Sequence, residues 1–154
     1  MLQEIKITRV QAKGRRFVIV ASKYNARYVD AMLHAASAIL KRAGAAEVRV
    51  IRVPGAFEIP VVVSKVATSA EPPAAIIALG VILRGATTHA QTVSDVVSHG
   101  LGAIALGTHV PIIHEVLLLE SEQQARERCL SKTHNRGAEA ALTAIEMSQL
   151  LERL

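Results

Sequence analysis

The side chains able to do chemistry cluster in a few short segments. The densest is Arg84-Gly85-Ala86-Thr87-Thr88-His89, glycine and hydroxyl residues leading into a run with helical spacing. The first backbone N–H groups of such a helix point outward without partners. An anion placed at Gly85, Ala86 and Thr87 therefore gains hydrogen bonds and a favourable dipole. Thr87 or Thr88 acting simply as a helix cap explains the same residues, and the two roles are compatible. His89 follows at once, a side chain able to take or relay a proton; by itself, a histidine at a helix start reads as structural. Arg128 and Lys132, spaced i,i+4, either complete a phosphate site or lie solvated beside Glu127, the simpler reading of the pair alone. Glu58, after Gly55-Ala56-Phe57, suits a helix start as a cap residue and is equally able to accept hydrogen bonds from a polyol. His34, His99, His109 and His134 show no spacing to one another or to Cys129 that suggests a metal site, and no metal or organic cofactor is expected.

Those segments need a frame that brings them together. Apolar runs at 16–21, 48–53, 74–83 and 111–119 predict four strands. Helical spacing predicts helices over 26–43, stopped by Gly44, over 57–68 with Pro60 in the first turn, and over 89–106, 121–130 and 135–154. Strands alternating with helices predict an α/β fold: a three-layer α/β/α sandwich, doubly wound, around a four-stranded parallel sheet. Ligands of such sheets sit beyond the carboxyl ends of the strands. Polar or glycine-rich segments stand there in turn: Ser22-Lys23-Tyr24-Asn25, Pro54-Gly55-Ala56-Phe57-Glu58 and Arg84 to His89, while the fourth strand contains His114-Glu115. Residues 1–154 fit one domain, with 1–12 as an N-terminal arm whose alternating Glu4 to Arg9 suits an edge strand on a neighbouring subunit.

Composition narrows the partners. Hydrophobic residues make up 51% of the chain, which excludes disorder, and aromatics only 3%, so Ala, Val, Ile and Leu must build the core. The net charge of +5 comes from dispersed Lys and Arg, without the dense basic stripe or stacking aromatics of a nucleic-acid binder. A phosphorylated metabolite suits the charge better, and no nucleic acid is expected. The most apolar stretch, 74–83, is about half the length that spans a bilayer, and Met1 to Arg16 lacks the apolar core of a secretory signal. With a single cysteine, which cannot form an internal disulfide, the expectation is a soluble cytoplasmic protein free of membranes.

Taken in order, the motifs resemble the lumazine synthase family from Phe17 to Leu151: Ser22-Lys23-Tyr24-Asn25, Val53-Pro54-Gly55-Ala56-Phe57-Glu58-Ile59-Pro60, Leu79 through Arg84-Gly85-Ala86-Thr87-Thr88-His89, Glu127-Arg128, and Asn135 through Met147. The resemblance implies a flavodoxin-like fold. It implies condensation of 5-amino-6-ribitylaminouracil with 3,4-dihydroxy-2-butanone 4-phosphate to 6,7-dimethyl-8-ribityllumazine. It also implies roles. Tyr24 would stack on the pyrimidine beside Asn25; Ala56, Phe57 and Glu58 would hold the ribityl chain and ring edge; Val81, Ile82 and Leu83 would line the ring. Gly85, Ala86 and Thr87 would bind phosphate with Arg128 and Lys132, and His89 would transfer protons. The family assembles as pentamers with active sites shared between adjacent subunits, some members forming an icosahedral shell of sixty, and riboflavin synthase is an implied partner. The short link between Lys132 and Asn135 leans towards the shell. Three positions depart from the family pattern: Ala90 replaces an aromatic residue, His114 replaces a phenylalanine that borders the neighbour's ligand, and Leu118-Leu119 replaces a polar pair. These departures keep open an alternative, a shell-forming or flavin-binding relative with reduced or lost synthase activity.

Overall fold

The computed structural model describes residues 11–154. Four strands, β1 (Arg16–Ser22), β2 (Glu47–Val53), β3 (Ala75–Leu83) and β4 (Ile112–Leu119), form one sheet in the order β2-β1-β3-β4, every pair parallel. Helices α1 (Ala26–Arg42) and α5 (Arg136–Glu152) cover one face; α2 (Ile59–Ala67) and α3 (His89–Thr108) cover the other. The three-layer doubly wound architecture is thus the one the alternating pattern predicts. The edge-strand reading of Glu4 to Arg9 lies outside the described residues.

Side-chain alternation along a strand explains why one short sheet feeds two cores. Phe17, Ile19 and Ala21 of β1 join Ile77 and Leu79 of β3 against Val29, Met32, Ala141 and Ile145 of α1 and α5. Val18 and Val20, with Ile76 and Ala78, pack on Ile59, Val63, Val97 and Leu101 of α2 and α3. Each fully buried Val, Ile, Leu or Phe contributes ~1.5–3 kcal/mol, so an aromatic-poor core of this extent suffices. The edge strand β2 departs from the pattern of a strand covered on both faces: Glu47, Arg49 and Val50 are exposed.

Local rules account for the element ends. After α1, Gly44 adopts φ +91°, a left-handed conformation that glycine enters without steric cost. Pro60 sits in the first turn of α2, where its missing N–H leaves no bond unmade. That helix is shorter than the predicted 57–68, because Ala56–Glu58 form a separate 3-10 turn before it. The predicted helix over 121–130 also divides. Ser121 caps a single α-turn, α4 (Glu122–Ala125), and Arg126–Leu130 then widen into a π turn. No helix among the described residues is long and apolar enough to cross a membrane.

Candidate active site

The strand order reverses direction between β1 and β3, and a crevice opens at their carboxyl ends. Register makes it deep. Ala21 pairs with Leu79, so β1 ends beside Gly80 while β3 continues through Val81, Ile82 and Leu83 alongside β4. The turn after β1 is braced from three directions. The N–H of Lys23 donates to the Val53 carbonyl (2.8 Å). Arg52 donates to the Ser22 carbonyl (2.9 Å) while pairing with Asp30 (2.6 Å). Asn25, left-handed at φ 56°, donates its side-chain amide to the Val81 carbonyl (2.7 Å) rather than capping α1.

Across the crevice, the Gly55 N–H donates to Glu58 Oε2 (2.9 Å), closing a reciprocal cap on the 3-10 turn. A Cβ at Gly55 would lie 3.0 Å from that oxygen and 3.4 Å from the Tyr24 ring, which places Tyr24 and Glu58 side by side. The cap role of Glu58 is therefore real, and it engages only one carboxylate oxygen. Tyr24 and Phe57 are 73% and 58% exposed, unusual for aromatic rings in a chain this poor in them, and both flank the opening.

The third wall is the segment leading into α3. Residues 85–89 are all exposed, and a Cβ at Gly85 would meet nothing within 4 Å, so no side chain among the described residues packs over the helix start. Thr88 makes no side-chain cap, leaving the first-turn N–H groups of α3 outward; Thr87 Oγ1 accepts weakly from the His89 N–H (3.4 Å). An arrangement missed in the sequence fixes this segment. Arg84 pairs with Glu120 (2.9 Å) and donates to Gln91 (2.8 Å), which donates to Asp95 (2.8 Å). The one guanidinium in the loop is thereby turned to bracing. Its available signal was the i,i+4 spacing of Gln91 and Asp95 on α3.

One chain thus brings together Tyr24, Asn25, Ala56, Phe57, Glu58, Val81, Ile82, Leu83, Gly85, Ala86, Thr87 and His89. It does not bring His114, Arg128 and Lys132 to the same mouth. His114 pairs with Ala78, five residues short of the Leu83–Leu119 end, or about 16 Å along the strand. Its Nε2 faces Ser98 Oγ (2.8 Å) and its Nδ1 accepts from the Val116 N–H (3.1 Å); this crowding lowers its pKa through desolvation. Arg128 belongs to the α1 and α5 side, in electrostatic reach of Glu115 and Cys129. Lys132 is exposed beyond an extended Ser131, so its i,i+4 spacing to Arg128 is not helical.

His114 also borders a second feature. A groove of about 480 Å³ follows the outer edge of β4, which pairs only with β3 among the described residues, and is lined among others by Leu106, Ile113, His114, Glu115, Thr143 and Met147. Glu115 is 7% exposed and pairs with Arg136 (3.1 Å), which also pairs with Glu139 (2.7 Å). Burial raises the Glu115 pKa more than Arg136 lowers it. Burial also pushes the Cys129 thiol up to about 11, leaving it protonated and inert. Asn135 locks the region: it accepts from Gly137 N–H (2.8 Å) as the cap of α5 and donates to the Cys129 carbonyl (2.6 Å). Ala90 and Leu119 are buried, so those two departures from the family pattern serve packing. Among the described residues no group of three or more His, Cys, Asp or Glu is placed to hold a metal.

Fold and site together define a parallel α/β protein with an open crevice at its strand ends. Family comparison gives that class a definite form. Residues 14–152 match the family model described as 6,7-dimethyl-8-ribityllumazine synthase. A 6,7-dimethyl-8-ribityllumazine synthase of Desulfotalea psychrophila is 40% identical over 147 residues, 94% of each chain. One of Xylella fastidiosa is 43% identical over 143 residues, 92% of each. One of Halorhodospira halophila is 40% identical over 147 residues, again 94% of each. The chain belongs to the 6,7-dimethyl-8-ribityllumazine synthase family.

Proposed function

We propose that the chain condenses 5-amino-6-ribitylaminouracil with 3,4-dihydroxy-2-butanone 4-phosphate, giving 6,7-dimethyl-8-ribityllumazine with release of phosphate and water. The observation that carries this reading is the unobstructed start of α3 at Gly85-Ala86-Thr87, opening beside His89 at the mouth between β1 and β3. The phosphate rests on the N–H groups there, where the helix dipole stabilises both the bound ester and the departing anion. The pyrimidine lies against Tyr24, with Asn25 at the turn beneath it and Val81, Ile82 and Leu83 along its edge. Ala56, Phe57 and Glu58 hold the ribityl chain, the Glu58 oxygen left over from the cap accepting from hydroxyls.

Amine attack on the ketone, loss of water to an imine, elimination of phosphate and closure of the ring each move a proton. His89 takes and returns it. Phosphate is already a good leaving group, so holding two substrates in register supplies much of the remaining acceleration. Arg128, Lys132 and His114 serve the crevice of an adjacent copy. Support for this comes from their position away from their own chain's mouth, with His114 on the outer strand β4. Pentamers, a sixty-subunit shell and riboflavin synthase as a partner extend the family resemblance. The buried, protonated thiol of Cys129 suits a cytoplasmic setting.

The test mixes purified protein with both substrates and follows lumazine fluorescence. Turnover above the uncatalysed condensation is expected, and His89→Ala should lower the rate by about tenfold or more with the assembly intact. No acceleration by the wild-type chain would refute the activity; an unchanged His89→Ala rate would remove that residue from the mechanism.

A further inference from the structure

The phosphate reading leaves one buried charge without a task. Glu115 projects from β4 into the α1 and α5 layer, 7% exposed, with Arg136 Nε at 3.1 Å and Arg128 in electrostatic reach. Arg136 is held at its other side by Glu139, half-exposed at 2.7 Å. Two guanidinium groups and two carboxylates therefore sum to zero. A phosphate dianion entering a neutral cluster gains far less than one entering a doubly positive cluster, since the carboxylates repel it, the buried Glu115 with the least solvent screening. The cluster is also rigid. Asn135 ties the Arg128 turn to the start of α5, and Gly137 packs so closely on α1 that a Cβ would stand 2.0 Å from the Met32 carbonyl oxygen. The backbone that carries the two guanidinium groups is thereby fixed relative to β4.

We propose that Glu115 is the resident anion beside the phosphate-binding Arg128: its carboxylate, paired with Arg136, lies within electrostatic reach of Arg128 and opposes a phosphate bound there. This rests on the reading of Arg128 as a phosphate residue. Glu115 is a specificity-determining and positioning residue. In the free protein it keeps the cations in place, and after elimination it weakens the grip on inorganic phosphate, so that product leaves. A merely structural Glu115 predicts the opposite sign, because loosening the cluster would weaken phosphate binding.

The experiment is calorimetric titration of the assembled protein with inorganic phosphate, comparing wild type, Glu115→Gln and Arg128→Ala. Gln keeps an acceptor for Arg136, which retains Glu139 and so is not stranded. Glu115→Gln should tighten phosphate binding about tenfold, equivalent to ~1.4 kcal/mol, and Arg128→Ala should weaken it. Unchanged or weaker binding in Glu115→Gln, with Arg128→Ala weakened, overturns the role of Glu115 and leaves the phosphate reading standing. Unchanged binding in Arg128→Ala removes that reading and this inference with it. Should Glu115→Gln fail to assemble, Glu139→Gln releases the same guanidinium from its exposed partner. Tightening of about twofold then supports the opposition, and none refutes it.

Discussion

At the mouth between β1 and β3, the turns after β1 and β2 are anchored mainly on backbone groups, with side-chain pairs confined to Arg52–Asp30 and the Arg84 network leading into α3. Carbonyls of Ser22, Val53 and Val81 accept the bracing bonds, and the Gly55 N–H occupies one oxygen of Glu58. The side chains that remain, Tyr24, Phe57, Thr87 and His89, stand exposed. Along β4 the reverse holds. Charged side chains bind one another, Glu115 to Arg136 to Glu139, around a cap that fastens two helices. The mouth is prepared for a ligand that brings its own hydrogen-bonding groups; the β4 patch already contains an anion. A region braced by its backbone tolerates change in its side chains, whereas one braced by side-chain charges transmits every substitution to its neighbours.

The sharpest way to break that contrast is one substitution made in both regions. Gly137→Ala forces a methyl group to 2.0 Å from the Met32 carbonyl, where backbone must move. The expected loss is ~3 kcal/mol or more, a drop in Tm of about 10 °C, or failure to fold. Gly85→Ala meets open space and should leave Tm within about 2 °C of wild type, since surface changes cost ~0.5 kcal/mol or less. Thermal unfolding of both variants decides it; equal losses would erase the distinction between the two regions.

How far these regions could be read in the sequence follows the same division. The mouth was legible because each of its segments is contiguous: Pro54 to Glu58 and Arg84 to His89 carry turn and helix-start chemistry within a few residues. The alternating apolar runs likewise marked every strand and the parallel sheet. Strand order was not readable, because periodicity reports which face a residue shows and not which strand lies beside it. The pairing of Glu115 with Arg136 spans 21 residues and exists only after β4 and α5 dock. The π turn at Arg126–Leu130 was hidden too, since its composition suits an ordinary helix. Asn25 shows a subtler gap. The resemblance implies a place beside the ligand, while its amide in the folded chain is spent on Val81.

That last contact offers an intermediate test. Asn25→Ala removes the bond to the Val81 carbonyl and puts alanine where φ is positive, together costing ~1–3 kcal/mol. Because the bond joins the two sides of the mouth, loss of stability should be accompanied by weaker substrate binding. Asn25→Gly relieves the backbone strain only. If it restores Tm without restoring KM, the amide positions the mouth; if both return, the conformation of the turn is all that matters.

The smallest expected effect separates two adjacent residues of β4. The Val116 N–H donates to His114 Nδ1, so that nitrogen carries no proton and the ring is neutral, its remaining proton on Nε2 facing Ser98. Desolvation lowers the His114 pKa below the ordinary 6.5. As pH falls through 6.5 the unfolded chain takes up a proton that the folded chain refuses, and stability declines until the lowered value is passed. Glu115 acts in the opposite sense. Burial raises its pKa above 4.5, so between 4.5 and the raised value the folded chain holds a proton the unfolded chain has released, and stability declines as pH rises. His114→Gln removes the first slope and keeps the second. Compared by thermal unfolding from pH 7 down to pH 5, the wild type should lose stability relative to His114→Gln as pH drops below about 6.5. The difference is small because much of the ring surface is accessible. Parallel curves would mean that the backbone bond to Val116 does not hold the ring neutral, and that the side-chain bracing seen along β4 stops at Glu115.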